Sequence, residues 1–240
     1  MDSAKIADKL SLWIKQQVSS AGCRGVAVGM SGGLDSSVVA VLCRRAFPQN
    51  TLGVIMPCYS IDEDKEHALM VAEKFSIPTR TVVLDHVFDT LLKVLPPLET
   101  PASRLAQANI KTRLRMVTLY YLANQLQYLV VGSSNKSELA IGYFTKYGDG
   151  GVDIMPIGNL VKKEVIELAV FLGIPQPIID KPPSAGLWPE QTDEGEMGIT
   201  YKELDRYLLS GEATNEVRQK IETRLAGCLH KRVPPPIAEI

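Results

Sequence analysis

The chain has 240 residues, of which 45% are hydrophobic, and its formal net charge at pH 7 is −1. A chain of this length can bury one sizeable core without disulfides or structural metal, so we expect one domain spanning residues 1–240. Because acidic and basic residues balance, there is no global basic field, and nucleic acid is not an expected partner.

The cysteines are widely spaced and contain no Cys-x-x-Cys pair, which argues against a zinc knuckle. No stretch approaches the roughly 20 apolar residues of a membrane-spanning helix. The amphipathic N-terminus, residues 1–20, lacks the basic segment and apolar block of a secretory signal. The sequence therefore predicts a cytoplasmic protein with no membrane partner.

The first half of the chain alternates between helical and strand patterns. Leu10, Ile14 and Val18 recur at helical spacing and predict a first helix before a strand at 25–30. The elements that follow are helix 36–47, strand 51–56, helix 62–75, strand 79–84, helix 87–95, helix 103–125 and strand 128–132. Asp62 is the expected N-cap of its helix. This alternation predicts an α/β fold, a doubly wound parallel sheet flanked by helices and Rossmann-like, with its ligand crevice beyond the carboxyl ends of the strands.

The second half of the chain departs from this alternation. Two weakly periodic stretches, 143–153 and 180–198, are usually lids or disordered insertions when they occur inside a compact domain. The remaining predicted elements are helices 162–172, 201–210 and 215–229, followed by a proline-rich tail at 233–240.

The most informative segment, Val-Ala-Val-Gly-Met-Ser-Gly-Gly-Leu-Asp-Ser-Ser at 26–37, joins an apolar strand to the start of a helix. Gly32 and Gly33 let backbone N–H groups approach phosphate oxygens without a Cβ in the way. Ser31 and Ser36 add hydroxyl donors at a helix N-terminus, where the dipole favours anions. The segment predicts a polyphosphate site, and the alternative is a plain Gly/Ser turn in a βα unit.

Asp35 does not suit simple anion binding, because a carboxylate among phosphate donors repels the ligand. A divalent cation between the carboxylate and the phosphates removes this conflict. Asp35 is therefore a predicted Mg²⁺ ligand. The loop also lacks the lysine of the GxxxxGK[ST] phosphate loop of kinases and GTPases.

A second segment, Gly-Tyr-Phe-Thr-Lys-Tyr-Gly-Asp-Gly-Gly-Val-Asp at 142–153, places one base and two acids among glycines and aromatic residues. A loop of this kind suits a ligand that carries both a flat ring and charged groups. Taken alone, it is equally well explained as a tight surface loop.

Together these motifs identify a family resemblance. The Ser-Gly-Gly-x-Asp-Ser loop resembles the PP-loop of the ATP pyrophosphatases, which have the adenine nucleotide alpha hydrolase-like fold, and the GYFTKYGDGG run resembles that of ammonia-dependent NAD⁺ synthetase. The resemblance implies ATP-dependent amidation of deamido-NAD⁺ (nicotinic acid adenine dinucleotide) to NAD⁺ with ammonia, the final step of NAD⁺ biosynthesis. The reaction passes through an adenylate, releases pyrophosphate and AMP, and uses Mg²⁺. The resemblance also implies a homodimer.

The resemblance assigns roles to residues at matching positions. It implies that Asp35, Lys162 and Ser184 act in catalysis and that Asp35 and Glu138 hold the metal. The positions implied to bind ATP are Gly29, Met30, Ser31, Gly32, Gly33, Leu34, Asp35, Ser36, Ser133, Lys162 and Ser184. The positions implied to bind deamido-NAD⁺ are Arg113, Lys146, Asp153, His230 and Lys231.

The sequence departs from the family pattern at 132–138, where Gly-Ser-Ser-Asn-Lys-Ser-Glu replaces the GTDHAAE that many members carry. Glu138 keeps its spacing, whereas the ammonia route is left open. We expect no glutaminase domain, since only residues 1–25 precede the loop, so nitrogen comes from free ammonia or from a separate glutaminase subunit. The alternative functions are another PP-loop amide ligase, similar to GMP synthetase, and a non-catalytic ATP-binding module.

Overall fold

The structure is a computed structural model that describes residues 2–96, 99, 103–188 and 191–239. Within these residues, four parallel strands form one sheet in the order β3-β2-β1-β4. The strands are β1 (Gly25–Gly29), β2 (Thr51–Ile55), β3 (Thr79–Thr81) and β4 (Tyr128–Val131). Val28 of β1 lies opposite Gly53 of β2 and Val131 of β4. β2 and β3 lie on one side of β1 and β4 lies on the other, so the strand order reverses at β1. In a parallel sheet of this kind the ligand crevice is expected at that point, beyond the carboxyl ends of β1 and β4.

Helices connect and flank the strands. They are α1 (Ser3–Ser20), α2 (Leu34–Ala46), α3 (Asp62–Lys74), α4 (Asp85–Val94), α5 (Arg104–Leu126), α6 (Lys136–Ile141), α7 (Lys162–Leu172), α8 (Gln176–Asp180), α9 (Asp193–Met197), α10 (Tyr201–Ser210), α11 (Asn215–Gly227) and α12 (Leu229–Arg232). None of the helices in the described part of the chain combines the length and apolar character needed to cross a membrane.

The two faces of the sheet bury different helices. Val26 and Val28 point into a cluster shared with α1, α2, α3 and α7, whereas Ala27 points into a cluster shared with α4 and α5. Successive side chains of a strand point to opposite faces, so one short apolar strand supplies both cores. The predicted doubly wound α/β sheet is confirmed.

A third apolar cluster lies outside the sheet and joins α6, α9, α10 and α11. Leu204 and Ile221 are fully buried in it, and Ile141, Met197 and Tyr201 complete the contact between the helices. This cluster packs α10 and α11 against α6, the helix that follows β4. The site described below depends on it, because α6, α9 and α10 each contribute a polar side chain.

Three details differ from the sequence prediction. β3 is an edge strand and ends at Thr81, three residues before the predicted end. The N–H groups of Val82 and Leu84 still donate to the carbonyls of Ile55 and Pro57, but these residues are not part of the strand. Asp62 is the first residue of α3 and does not cap it, since Ile61 occupies the N-cap position. The sequence did not predict four short helices, α6, α8, α9 and α12, because segments of this length show too little hydrophobic periodicity. Residues 189, 190 and 240 of the predicted irregular stretch and tail lie outside the described residues.

The face of α7 that packs on α1 and α2 provides a stability test. Leu168 is fully buried in the main core, whereas Ile166 of the same helix is 38% exposed. We expect Leu168→Ala to lower the free energy of unfolding by about 2–5 kcal/mol, because the lost side chain leaves a cavity. Ile166→Ala is the matched control and should cost clearly less. Urea unfolding followed by circular dichroism measures both, and equal losses would contradict this packing.

Candidate functional site

The serines of the loop after β1 form hydrogen bonds within the loop. The Oγ atoms of Ser31 and Ser36 lie 2.9 Å apart, and Ser36 Oγ donates to the carbonyl of Gly33 at 3.0 Å. Gly33 is the N-cap residue of α2 and offers no side-chain cap, so the first N–H groups of this 13-residue helix keep their donors for a ligand. Gly32 has φ +81°, and a Cβ there would run into the backbone of Asp64. The loop therefore has the geometry of an anion site.

Two carboxylates from distant parts of the chain meet beside this loop. Asp35 lies in the first turn of α2, and its Oδ1 accepts a hydrogen bond from the Asn135 amide at 2.9 Å. Asn135 also forms a capping box with Glu138: the Glu138 N–H donates to Asn135 Oδ1, and the Asn135 N–H donates to Glu138 Oε2. One asparagine thus fixes both predicted metal ligands.

The ammonium of Lys162 lies between these carboxylates. It forms an ion pair with Asp35, and its Nζ lies 3.9 Å from Glu138 Oε1. The Lys162 side chain is 5% exposed and each carboxylate side chain is 15% exposed, so water screens this group of charges weakly. The sequence prediction that placed Lys162 at the phosphate loop is thus compatible with the structure, which brings Asp35, Glu138 and Lys162 together.

Burial shapes the protonation of this cluster. Desolvation and then repulsion from Asp35 raise the pKa of Glu138 to about 8, although Lys162 and the Asn135 N–H act in the opposite direction. Desolvation lowers the pKa of Lys162, but attraction to Asp35 and Glu138 outweighs it and raises the pKa overall. Lys162 therefore stays charged, and Glu138 is the member of the cluster that takes up a proton.

Sequence analysis missed two residues of this site, Tyr201 and Asp193. The Tyr201 hydroxyl donates to Asp193 Oδ2 at 2.9 Å and lies 3.3 Å from Glu138 Oε1. Its ring lies 5.1 Å from Lys162 Nζ. The other oxygen of Asp193 is buried and has no hydrogen-bond partner among the described residues. No local signal marks these residues, whereas Asn135 and Glu138 carry the N-x-x-E spacing of a capping box.

The predicted ATP contacts Ser133 and Ser184 lie in different surroundings. Ser133 lies two residues after the end of β4, which pairs with β1, so it lies at the predicted crevice. Ser184 is exposed, and its Oγ accepts a hydrogen bond from Gly186 N. Among the described residues, Ser184 makes no hydrogen bond to Asp35 or Lys162.

Four of the predicted acceptor contacts lie together in one basic group, which contains the side chains of Arg113, Lys146 and Lys231 and the backbone carbonyl of His230. Arg113 donates from Nε and Nη2 to the Lys146 carbonyl, and Lys146 Nζ donates to the His230 carbonyl. Lys231 Nζ donates to the carbonyls of Gly142 and Phe144 at 2.8 and 2.9 Å. Backbone carbonyls satisfy these donors without neutralising their charge, so the group keeps its attraction for an anionic ligand.

Asp153, the fifth predicted acceptor contact, lies apart from this basic group. Its carboxylate accepts hydrogen bonds from Tyr120 Oη at 2.9 Å and from Val130 N at 2.7 Å. A groove of about 420 Å³ lies on the same side of α5. The residues that line the groove are Met116, Val117, Tyr120, Tyr121, Asn124, Tyr147 and Gly151.

A parallel sheet, a Ser-Gly-Gly loop without lysine and a carboxylate beside the phosphate donors define an α/β nucleotide-binding protein of the PP-loop class. The sequence model described as NAD synthase matches residues 6–235. The chain therefore belongs to the NAD synthase family, and the resemblance is confirmed.

Two solved structures and one curated relative illustrate the similarity. The NH(3)-dependent NAD(+) synthetase of Syntrophomonas wolfei subsp. wolfei is 49% identical, with 100% of this chain and 98% of the relative covered. The NMN synthetase of Francisella tularensis has a TM-score of 0.95 at 33% identity, and each chain is fully covered (100%). The NH3-dependent NAD synthetase of Campylobacter jejuni has a TM-score of 0.83 at 30% identity, again with 100% of both chains covered.

The buried charge cluster predicts a strong dependence of stability on Lys162. In the ligand-free protein, Lys162→Met should lower the free energy of unfolding by about 3–5 kcal/mol, because it leaves buried carboxylates without their counter-charge. The double variant Lys162→Met/Asp35→Asn should recover part of this loss. Lys163→Met, which changes the exposed neighbouring lysine, should stay within about 0.5 kcal/mol. Urea unfolding of all variants tests the cluster, and a small loss for Lys162→Met would contradict it.

Proposed function

We propose that this chain is an ATP-dependent amide ligase that converts deamido-NAD⁺ to NAD⁺ with ammonia. The observation that carries the proposal is the meeting of Asp35, Glu138 and Lys162 beside the predicted phosphate loop. Family membership and the names of the relatives, NH(3)-dependent NAD(+) synthetases, support the same reaction. The proposal explains why the carboxylates of Asp35 and Glu138 lie beside the phosphate loop, because they would hold the cation that accompanies the phosphates.

The chemistry requires two steps. A nicotinate carboxylate attacks the α-phosphorus of ATP, the bond to the β-phosphate oxygen breaks, and pyrophosphate leaves. Ammonia then attacks the activated carbonyl carbon, AMP leaves with the bonding electrons, and one proton is lost. Fixed donors that stabilise the developing charge account for much of such catalysis. Ser31, Ser36 and the N-terminus of α2 are the groups that we assign to the phosphates.

The residues present fit a magnesium ion. Mg²⁺ is commonly held by one or two carboxylates together with substrate phosphates, and the Asp35–Glu138 pair already accommodates one cation, the Lys162 ammonium. When bound, Mg²⁺ would supply charge neutralisation at the triphosphate. With Mg²⁺ held by Asp35 and Glu138, the Lys162 ammonium beside them would serve as a donor to a phosphate oxygen.

The cationic side chains of Arg113, Lys146 and Lys231 suit the phosphates of the acceptor, and His230 lies beside them. Their donors point at backbone carbonyls, so a ligand meets the full cationic charge. Ser133, Ser184 and Asp153 keep their predicted ligand roles within this proposal. Another PP-loop ligase or a simple ATP-binding module is less favoured, because neither accounts for family membership.

A second candidate acceptor is nicotinic acid mononucleotide. The similarity to the Francisella tularensis NMN synthetase, with a TM-score of 0.95, is the observation that favours it. Both acceptors present the same carboxylate on the same ring, and the mononucleotide lacks the adenosine monophosphate half. The two candidates therefore differ in the number of phosphates and in the apolar contact area that they offer.

We further propose that the protein forms a homodimer through the outer face of α5. Val117, Tyr121 and Tyr147 are each more than 60% exposed around the groove, which is unusual for large apolar side chains. A cytoplasmic location fits a biosynthetic ligase that consumes ATP. Nitrogen would come from free ammonia, or from a separate glutaminase subunit.

The function predicts a defined dependence on substrates. The purified protein should release pyrophosphate from ATP only when an acceptor and Mg²⁺ are present, with deamido-NAD⁺ preferred over nicotinic acid mononucleotide. Ammonium should support NAD⁺ formation, and glutamine alone should support little. Pyrophosphate release and chromatography of the products measure these rates. Preference for the mononucleotide would favour the second candidate, and pyrophosphate release without either acceptor would contradict both.

The roles assigned to the two carboxylates predict that variants lacking either of them lose the adenylation step. Asp35→Asn and Glu138→Gln should each lower pyrophosphate release by about 100-fold to 1,000-fold, because each removes a carboxylate that would hold the cation. Glu212→Gln, at an exposed glutamate, is the control and should keep the parental rate. Circular dichroism checks that the fold survives. Parental rates in either carboxylate variant at saturating Mg²⁺ would contradict the assignment.

A further inference from the structure

The segment that carries Ser184, residues 181–188, is fastened to the rest of the protein at both ends. We call it the Ser184 segment. At its start, Lys181 Nζ forms ion pairs with Glu63 Oε2 at 2.8 Å and with Asp64 Oδ1 at 2.7 Å, both in the first turn of α3. The Lys181 and Asp64 side chains are only 19% and 18% exposed, so this contact is stronger than an ordinary surface pair.

The other end is held by α5. Lys111 Nζ donates to the carbonyl of Leu187 at 3.0 Å, and the Arg104 guanidinium carbon lies 4.5 Å from the centre of the Trp188 ring. Lys111 Nζ also lies 5.7 Å from the Tyr59 ring centre and 5.6 Å from the Phe88 ring centre. Cation–π contacts of this kind stabilise a cation that is half-removed from water. Lys111 therefore links the segment to the loop that follows β2.

Asp64 connects this fastening to the phosphate loop. Its backbone packs directly against Gly32, where any Cβ would collide, and its Oδ2 lies 3.1 Å from the position of a Cβ at Gly186. Asp64 thus lies between the phosphate loop and the Ser184 segment and contacts both. A displacement of the segment relative to α3 would therefore affect the phosphate loop through the contact between Asp64 and Gly32.

The charges add a second reason for Lys181. Glu63 and Asp64 lie next to a loop that would receive a triphosphate, and unneutralised carboxylates there would repel it. Lys181 pairs with both of them. It therefore removes repulsion at the phosphate loop at the same time as it fastens the segment.

We propose that Lys181 and Lys111 are positioning residues that hold the Ser184 segment against the phosphate loop and thereby set the affinity for ATP. The inference rests on the proposed function only in taking ATP as the ligand of that loop. Neither lysine belongs to the predicted ATP or acceptor contacts. Their loss should therefore weaken the use of ATP and leave the acceptor site unchanged.

Steady-state kinetics give the first test. Lys181→Met and Lys111→Met should each raise the KM for ATP roughly tenfold, a change equivalent to one charged hydrogen bond, with little change in the KM for the acceptor. Lys181→Arg should restore the parental KM, because an arginine can pair with the same carboxylates. Lys220→Met is the matched control, since Lys220 and Glu216 form an ion pair of 2.7 Å on exposed α11.

Trp188 fluorescence gives a second test that needs no turnover. The chain has two tryptophans, so Trp13→Phe leaves Trp188 as the single reporter inside the segment. Titration with ATP and Mg²⁺ in the absence of acceptor should change the emission of Trp188, with a midpoint about tenfold higher in Lys181→Met and in Lys111→Met. Thermal denaturation confirms that each variant is folded, and each lysine tests the proposal independently.

The two tests separate this inference from the proposed function. Shifted midpoints in a protein that makes no NAD⁺ would support the positioning role and contradict the ligase. Amidation of deamido-NAD⁺ at an unchanged KM for ATP, with unchanged Trp188 midpoints in both variants, would overturn the positioning role and leave the ligase standing. An equal shift in Lys220→Met would also overturn it.

Discussion

A buried lysine between two carboxylates is the interaction on which the site depends. Lys162 and Asp35 are 127 residues apart in sequence, and Asp35 and Asn135 are 100 residues apart, yet all converge beside the phosphate loop. Charges this poorly exposed are costly to bury one at a time, because desolvation outweighs any single hydrogen bond. The cluster is therefore stable only as a set. Losing the lysine leaves acids facing each other, and losing an acid leaves the lysine without its partner.

The third apolar cluster positions the helices that carry Glu138, Asp193 and Tyr201. Tyr201 belongs both to this cluster and to the polar site, because its ring is buried beside Leu204 while its hydroxyl reaches Asp193. The short helix α6 is fixed by its capping box and by its contact with α10 and α11. Glu138 is thus positioned by packing as well as by hydrogen bonds, and it can keep a raised pKa without moving away from Asp35.

The basic residues near the phosphate loop and those at the predicted acceptor site differ in their partners. Lys162 and Lys181 are paired with carboxylates, so each is neutralised until a ligand changes the balance. Arg113, Lys146 and Lys231 donate to backbone carbonyls and keep their charge. The first group surrounds the phosphate loop and the second lies at the predicted acceptor site. This separation fits an enzyme that must bind two anionic substrates and bring them together.

The sequence by itself determined the α/β class and the order of strands and helices in the first half, because periodicity is local, and its Gly-Ser turn chemistry predicted the phosphate loop. The conflict between a carboxylate and phosphate donors also led to the prediction that Asp35 is a metal ligand. Only the tertiary structure decided that Lys162 lies between Asp35 and Glu138 and that Tyr201 and Asp193 join them. Those contacts arise from the adjacency of β1 and β4 and from the packing of helices outside the sheet, which no local pattern encodes.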